Sequence, residues 1–127
     1  MPTLFEQVEL SGMRLRNRFV RSATFEGMAS PEGAARDSLV TLTEELAEGE
    51  VGLIISSHAY VESRGRARAS QLGIQDDSLV PGLSRLANAA HEHGSKTLVQ
   101  LAHGGCTANE PVGEWVGIRS EIRYGPD

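Results

Sequence analysis

The sequence is poor in cysteine and in basic residues, and each shortage excludes a class of protein. A single cysteine among 127 residues excludes an internal disulfide and a cysteine-rich metal centre, and it favours a reducing compartment. Lysine and arginine number 12 against 17 acidic residues, which gives a net charge of −5. Because neutralising phosphates requires a basic surface, we expect no nucleic-acid partner.

Long apolar runs are also missing. No segment approaches the roughly 20 apolar residues of a membrane span, and the first ten residues carry Glu6 and Glu9 in place of the apolar stretch of a signal peptide. We therefore expect a cytoplasmic protein without a membrane partner. Its length suits one globular domain, whereas a complete (β/α)8 barrel needs about 200 to 250 residues.

Apolar periodicity predicts the strands of an α/β protein. Apolar residues spaced by about two around a Ser-Gly turn predict a β-hairpin over residues 7–16. Further strands are predicted over 18–23, 51–56 and 96–102. With helices between them, residues 18–102 form a βαβαβ unit with a parallel sheet, and residues 103–127 form a C-terminal loop.

Two helices connect these strands. The first has leucines at helical spacing, an N-cap at Asp37 or Ser38 and a left-handed C-cap residue at Gly49. The second begins at Asp77 or Ser78, carries a proline in its first turn and ends at a glycine. Residues 57–77 show no sustained period and predict a long loop.

Clusters that could hold a metal or a nucleophile are weak. His91 and His93 lie two apart near a helix end, so they point in different directions, and no metal site is predicted. His103 and Cys106 alone would supply only two ligands. No Gly-x-Ser-x-Gly motif of a hydrolase is present. The remaining acidic cluster is predicted to be a solvated helix face, formed by Glu44, Glu45, Glu48 and Glu50.

Ligands bind at the carboxyl ends of the strands in parallel sheets. Gln100 ends an apolar strand, where its amide offers one acceptor and two donors to a planar heterocycle. His103 begins a Gly-Gly turn that lets a ligand approach the backbone. From the residues alone, a second interpretation stays open, in which Gln100 bonds neighbouring backbone groups and His103 is an ordinary loop residue.

Several short motifs occur in one order along residues 4–105. Together they resemble the N-terminal part of the Old Yellow Enzyme family of NADH:flavin oxidoreductases. The motifs are LFE (4–6), LRNRFV (15–20), VGLII (51–55), GR (65–66), PGL (81–83), AHEHG (90–94) and VQLAHGG (99–105).

The resemblance implies a fold, a cofactor and a reaction. Residues 1–127 would form a single partial domain, about the N-terminal half of an FMN-binding TIM (β/α)8 barrel, with the hairpin as its cap. Ala23 and Thr24 would contact FMN through the backbone, His58 would lie where a small residue contacts it, and Gln100 would bond the pyrimidine edge. NAD(P)H would reduce FMN, which passes hydride to an electron-poor alkene or another small-molecule acceptor.

The chain departs from the family pattern at two places. Phe25 stands where relatives often have a residue that donates a side-chain hydrogen bond to the flavin, and Cys106 replaces the usual arginine. In the family the catalytic residues belong to later strands, so we expect the isolated chain to be inactive. The alternative is a non-catalytic half-barrel that binds flavin or self-associates. Its partner would be a second copy in a homo-oligomer or the missing second half of the barrel.

Overall fold

A two-stranded antiparallel hairpin opens the fold. The structure is a computed structural model that describes residues 3–105 and 108. Strand β1 (Val8–Leu10) pairs with β2 (Met13–Leu15). The two turn residues, Ser11 and Gly12, both have positive φ, 49° and 83°. A two-residue turn of this kind matches the twist of the paired strands.

The second sheet has three parallel strands in the order β3-β4-β5. Its members are β3 (Val20–Arg21), β4 (Leu53–Tyr60) and β5 (Lys96–Ala102). Two helices, α1 (Asp37–Glu48) and α2 (Val80–Glu92), cross between successive strands. The α/β class with a parallel sheet is thus confirmed, and the strands of the described residues do not close into a barrel.

Two strand boundaries differ from the sequence prediction. β3 covers two residues of the predicted 18–23, because only Val20 and Arg21 have partners on β4. β4 begins two residues later than predicted and ends at Tyr60 instead of residue 56. The polar stretch Ser56, Ser57 and His58 hid this continuation, although the following Ala59 and Tyr60 are buried. The loop predicted over 57–77 therefore starts at residue 61.

The helix caps also differ. Gly49 has an ordinary φ of −70°, and the left-handed residue is Glu50, with φ of 64°. Arg16 contacts the Glu50 carboxylate at 2.7 Å, which holds this residue in place. At the start of α1 the N-cap is Arg36, without a side-chain hydrogen bond, so the predicted caps Asp37 and Ser38 are wrong.

The two helices pack against each other and against β4 to form the core. Thr43 satisfies its buried hydroxyl by donating to the Leu39 carbonyl oxygen at 2.8 Å. Among the described residues, no helix combines the length and the apolar character that crossing a bilayer requires. The buried side chains of the two core clusters are Ala29, Leu39, Ala59, Leu72 and Leu86, and Ala47, Ile54 and Ala90.

Asp76, one residue before the predicted cap, starts the 3₁₀ turn Asp77–Leu79 that leads into α2. Its carboxylate accepts from the Ser78 N–H at 2.8 Å. The Ser78 hydroxyl, and then this N–H, hold the pKa of Asp76 below the ordinary value of 3.8. Because both contacts favour the charged form, their stabilisation is present above the unfolded pKa and is lost as the pH falls through the folded pKa.

The Asp76 cap can be tested by ¹³C NMR titration of its carboxyl group. We expect a midpoint below 3.8 in the wild type. Ser78→Ala removes the hydroxyl and is expected to move the midpoint upward, while the backbone N–H remains. A wild-type midpoint at or above 3.8, or no movement in the variant, contradicts the capping role.

Candidate functional site

The sequence-predicted site residues lie at one edge of the sheet, the edge at which its parallel strands end. Ala23 and Thr24 follow β3, His58 lies in β4, and Gln100 lies in β5. His58 and Gln100 are direct partners across the two strands. Because paired residues of parallel strands share a face of the sheet, their side chains start side by side.

Unused hydrogen-bond donors cluster at this edge. The Thr24 hydroxyl donates to the Ser22 carbonyl oxygen at 3.2 Å, but the backbone N–H groups of Ala23 and Thr24 form no hydrogen bond within the described residues. Gln100 is exposed, and its amide likewise has no partner in that part of the chain. The edge can therefore bind a ligand that carries several acceptors.

His58 is held from two sides. Phe25 stacks on its ring, with 5.6 Å between ring centroids and 22° between the planes. The Gln71 amide nitrogen lies 2.7 Å from His58 Nδ1. The sequence did not point to Gln71, since no motif surrounds it and only the three-dimensional path of the loop brings it alongside the end of β4. It showed Phe25 only as a departure from the family.

His103 has a structural role in the turn after β5. Its Nδ1 accepts from the Gly105 N–H at 3.0 Å, and its Nε2 lies 3.1 Å from a carboxylate oxygen of Glu62. The ring packs directly on Gly65, where a Cβ would collide with it. For His103, the structure therefore favours the loop interpretation. Cys106 lies outside the described residues, as does most of the predicted loop 103–127.

An open cleft of about 460 Å³ lies beside the end of β4. Inside it, the Tyr60 hydroxyl donates to the Glu32 carbonyl oxygen at 2.9 Å, and Gln75 Oε1 is buried without a hydrogen-bond partner among the described residues. The Ser30 hydroxyl, the Glu32 backbone N–H and more distant arginines hold the pKa of Glu32 below its usual 4.5. None of the four predicted site residues lines this cleft. Its lining is Pro31, Glu32, Tyr60, Ser63, Arg66, Ala69 and Gln75.

One mixed cluster could offer ligands to a metal ion. Glu44, Glu48 and His93 bring three donor atoms within 4.8 Å of one another. His93 Nε2 lies 3.8 Å and 4.0 Å from the two carboxylates, so a protonated ring would form an ion pair with them. The cluster lies at the C-terminal ends of the helices, away from the strand edge. His93 thus contacts the predicted acidic face of α1, whereas His91 is not a member of this cluster.

The chain matches known proteins over nearly all its described length. The sequence profile of the NADH:flavin oxidoreductase / NADH oxidase family matches residues 3–116. A 4,4'-dithiodibutanoate disulfide reductase from Rhodococcus erythropolis is 37% identical over 98% of this chain and 30% of that protein. An NADPH dehydrogenase from Listeria monocytogenes is 35% identical over 87% of this chain and 33% of the dehydrogenase. The chain thus spans about a third of these relatives.

Solved structures give the same picture of the fold. The Old Yellow Enzyme from Pichia sp. AKU4542 superposes with a TM-score of 0.78 at 24% identity, over 83% of this chain and 27% of the enzyme. A 2-naphthoyl-CoA reductase complex gives a TM-score of 0.80 at 25% identity, over 83% of this chain and 16% of the reductase. Old Yellow Enzymes are TIM barrels, so the expectation that this chain corresponds to the N-terminal part of such a barrel is confirmed.

Proposed function

The chain belongs to the NADH:flavin oxidoreductase / NADH oxidase family, and we propose that it supplies part of the FMN site of an enzyme that oxidises NAD(P)H. Members of this family use FMN with NAD(P)H as reductant. The observation that carries the proposal is the group of donors without a partner among the described residues at the ends of β3 and β5, the Ala23 and Thr24 backbone N–H groups and the Gln100 amide. A flavin ring has several acceptor atoms along one edge, and these groups are donors, so their chemistry is complementary to that edge.

Each residue has a distinct task in the proposed site. The Gln100 amide binds the pyrimidine edge of FMN, and the backbone N–H groups of Ala23 and Thr24 orient the ring. Donors fixed around a flavin stabilise negative charge on its reduced form and so favour acceptance of a hydride. Bound FMN supplies the hydride chemistry. Phe25 has no side-chain donor, so at this position the chain provides only a ring surface, stacked on His58.

The complete reaction is part of the same proposal. Hydride passes from NAD(P)H to FMN and then to an electron-poor alkene, as in an ene-reductase, or to another small-molecule acceptor. The family resemblance implies that the catalytic residues belong to later strands of the barrel, and we therefore expect the isolated 127-residue chain to be inactive in turnover. The single cysteine supports a cytoplasmic enzyme, the net charge of −5 weighs against a nucleic-acid partner, and the lack of a long apolar run weighs against a membrane partner.

A second candidate function is favoured by the exposed apolar side chains of the sheet. Leu98, Val99 and Leu101 of β5 are 43%, 41% and 64% exposed, and Val20 of β3 is 50% exposed. Strand edges with such side chains pair with other chains. The alternative is therefore a flavin-binding or self-associating half-barrel, which pairs with a second copy or with the missing half of the barrel.

Two measurements separate the candidates. FMN bound to the chain and bleached by NAD(P)H under anaerobic conditions supports the enzyme. Bound FMN that stays oxidised, together with a dimer in analytical ultracentrifugation, supports the half-barrel module. A colourless, monomeric chain that does not react with NAD(P)H excludes both for the isolated polypeptide.

Replacing Gln100 tests the proposed flavin contact. We expect Gln100→Ala to weaken FMN binding about tenfold, because losing one good hydrogen bond costs about 1.4 kcal/mol. Quenching of FMN fluorescence on titration with the chain measures the dissociation constant. His91→Ala, on the exposed face of α2, is the control and should leave it unchanged. Equal affinities for the two variants contradict the assigned contact.

A further inference from the structure

Gln71 is a buried side chain whose amide orientation is fixed by backbone donors. It is 1% exposed. Its Oε1 accepts from the backbone N–H groups of Ala67 at 2.9 Å and Arg68 at 3.2 Å. An amide NH₂ group cannot accept these bonds, so the reverse orientation of the Gln71 amide is excluded. The NH₂ group therefore faces the other way, toward β4.

The partner of this NH₂ group is His58. Gln71 Nε2 donates to the His58 carbonyl oxygen at 3.3 Å and lies 2.7 Å from His58 Nδ1. Since the NH₂ group can only donate, Nδ1 must present a lone pair. A neutral imidazole with an unprotonated Nδ1 carries its hydrogen on Nε2. The contact thus selects one of the two tautomers of His58.

The second ring nitrogen of His58, Nε2, is available to a ligand. Phe25 stacks on the ring, and the Arg68 guanidinium carbon lies 5.8 Å from the centre of the Phe25 ring, so the ring plane is fixed. Nε2 forms no hydrogen bond within the described residues. Because His58 pairs with Gln100 across the sheet, the two side chains leave the same face of the sheet, and the Nε2–H is a second donor on that face.

We propose that Gln71 is a positioning residue that holds His58 as the Nε2–H tautomer, and that His58 thereby donates a hydrogen bond to the edge of bound flavin. The second half of this statement rests on the proposed function, whereas the tautomer does not. The chain thus uses a side-chain donor on β4 where the family pattern has a small residue. Phe25 lacks the donor of its relatives, and His58, stacked on it, supplies one from the neighbouring strand.

The tautomer can be measured without flavin by long-range ¹H–¹⁵N NMR of the imidazole rings in the full chain. We expect the Nε2–H pattern for His58. Gln71→Glu keeps an oxygen for the backbone donors but turns a second oxygen toward Nδ1, so a hydrogen is expected to appear there. His103 is an internal control, because Gly105 donates to its Nδ1, and its pattern should not change. A wild-type His58 with its hydrogen on Nδ1, or one that exchanges between tautomers, overturns the positioning role.

A binding measurement tests the flavin contact separately. His58→Phe keeps an aromatic ring on Phe25 but removes the donor, and we expect it to weaken FMN binding about tenfold. His91→Phe, which places the same ring on the exposed face of α2, is the matched control. An unchanged affinity in His58→Phe overturns the donation to flavin. Failure of the wild type to bind FMN overturns the proposed function, and the NMR result still decides the role of Gln71.

Discussion

Gly33→Ala is expected to lower the free energy of unfolding by about 3 kcal/mol. Gly33 has a φ of 93°, which side chains with a Cβ rarely adopt. The added Cβ would lie 2.5 Å from the Tyr60 hydroxyl oxygen and 3.1 Å from the Gly73 Cα. Backbone strain therefore adds to overpacking. Tyr60 is 2% exposed and its hydroxyl donates to the Glu32 carbonyl oxygen, so displacing the ring would break this hydrogen bond.

Urea denaturation followed by circular dichroism measures this loss, and Gly12→Ala is its control. Gly12 also has a positive φ, 83°, but nothing lies within 4 Å of the position of its Cβ. Only the strain remains there, and we expect a loss of about 1 kcal/mol. Equal losses in the two variants would show that the contact with Tyr60 adds nothing.

Asn17→Asp is expected to lower the free energy of unfolding at pH 7 by about 2 kcal/mol. Asn17 is 6% exposed and connects the start of β3 to the turn before β4. Its Nδ2 donates to the Glu50 carbonyl oxygen at 2.6 Å, and its Oδ1 accepts from the Phe19 N–H at 3.1 Å. The aspartate keeps the size and the acceptor but sets a charged oxygen against the Glu50 carbonyl.

The pH dependence of this variant makes the test specific. A carboxyl group that faces a carbonyl has a folded pKa above its unfolded value, so its penalty shrinks as the pH falls and the group takes up a proton that can be donated. Asn88→Asp, the same change at an exposed position of α2, should stay within about 0.5 kcal/mol of wild type. Thermal denaturation of both variants at pH 7 and pH 4 is the measurement. A loss in Asn17→Asp that does not diminish at pH 4 contradicts the assigned hydrogen bond.

Local patterns predicted the helices and the site-bearing strands. They failed where a strand contains polar residues or where contacts with distant residues determine the backbone conformation. The leucine spacing of α1 and the proline of α2 gave these helices without reference to the rest of the chain. By contrast, β4 continues through the polar residues Ser56, Ser57 and His58, because the strand pairs with β5 on both sides of the two serines. Glu50 replaces Gly49 as the left-handed residue because Arg16 and Asn17 hold it from another part of the sequence.

The residues of the candidate site divide in the same way, into those that local patterns or motifs predict and those that depend on distant contacts. Gln100 was found because it ends an apolar strand and His58 because of the family resemblance, and the structure makes them neighbours. Whether they contact FMN stays a prediction. Gln71 could not be found from the sequence, since its role depends on the loop after β4 returning alongside the end of that strand. A hydrogen bond between a strand residue and a residue of an irregular loop 13 positions later leaves no periodic signal.

The pairing of β4 with β5 also fixes where this strand can change in length. Ile55 faces Leu98 and His58 faces Gln100, so Ser56 and Ser57 together occupy the space opposite Val99 alone. The extra residue is absorbed as a local irregularity, and the pairs on both sides of it are unaffected. An insertion or deletion at this point would leave the neighbour of Gln100 unchanged. Relatives should therefore be aligned along this strand by their pairing partners, because counting residues from the start of the strand would assign the wrong residue to the position of His58.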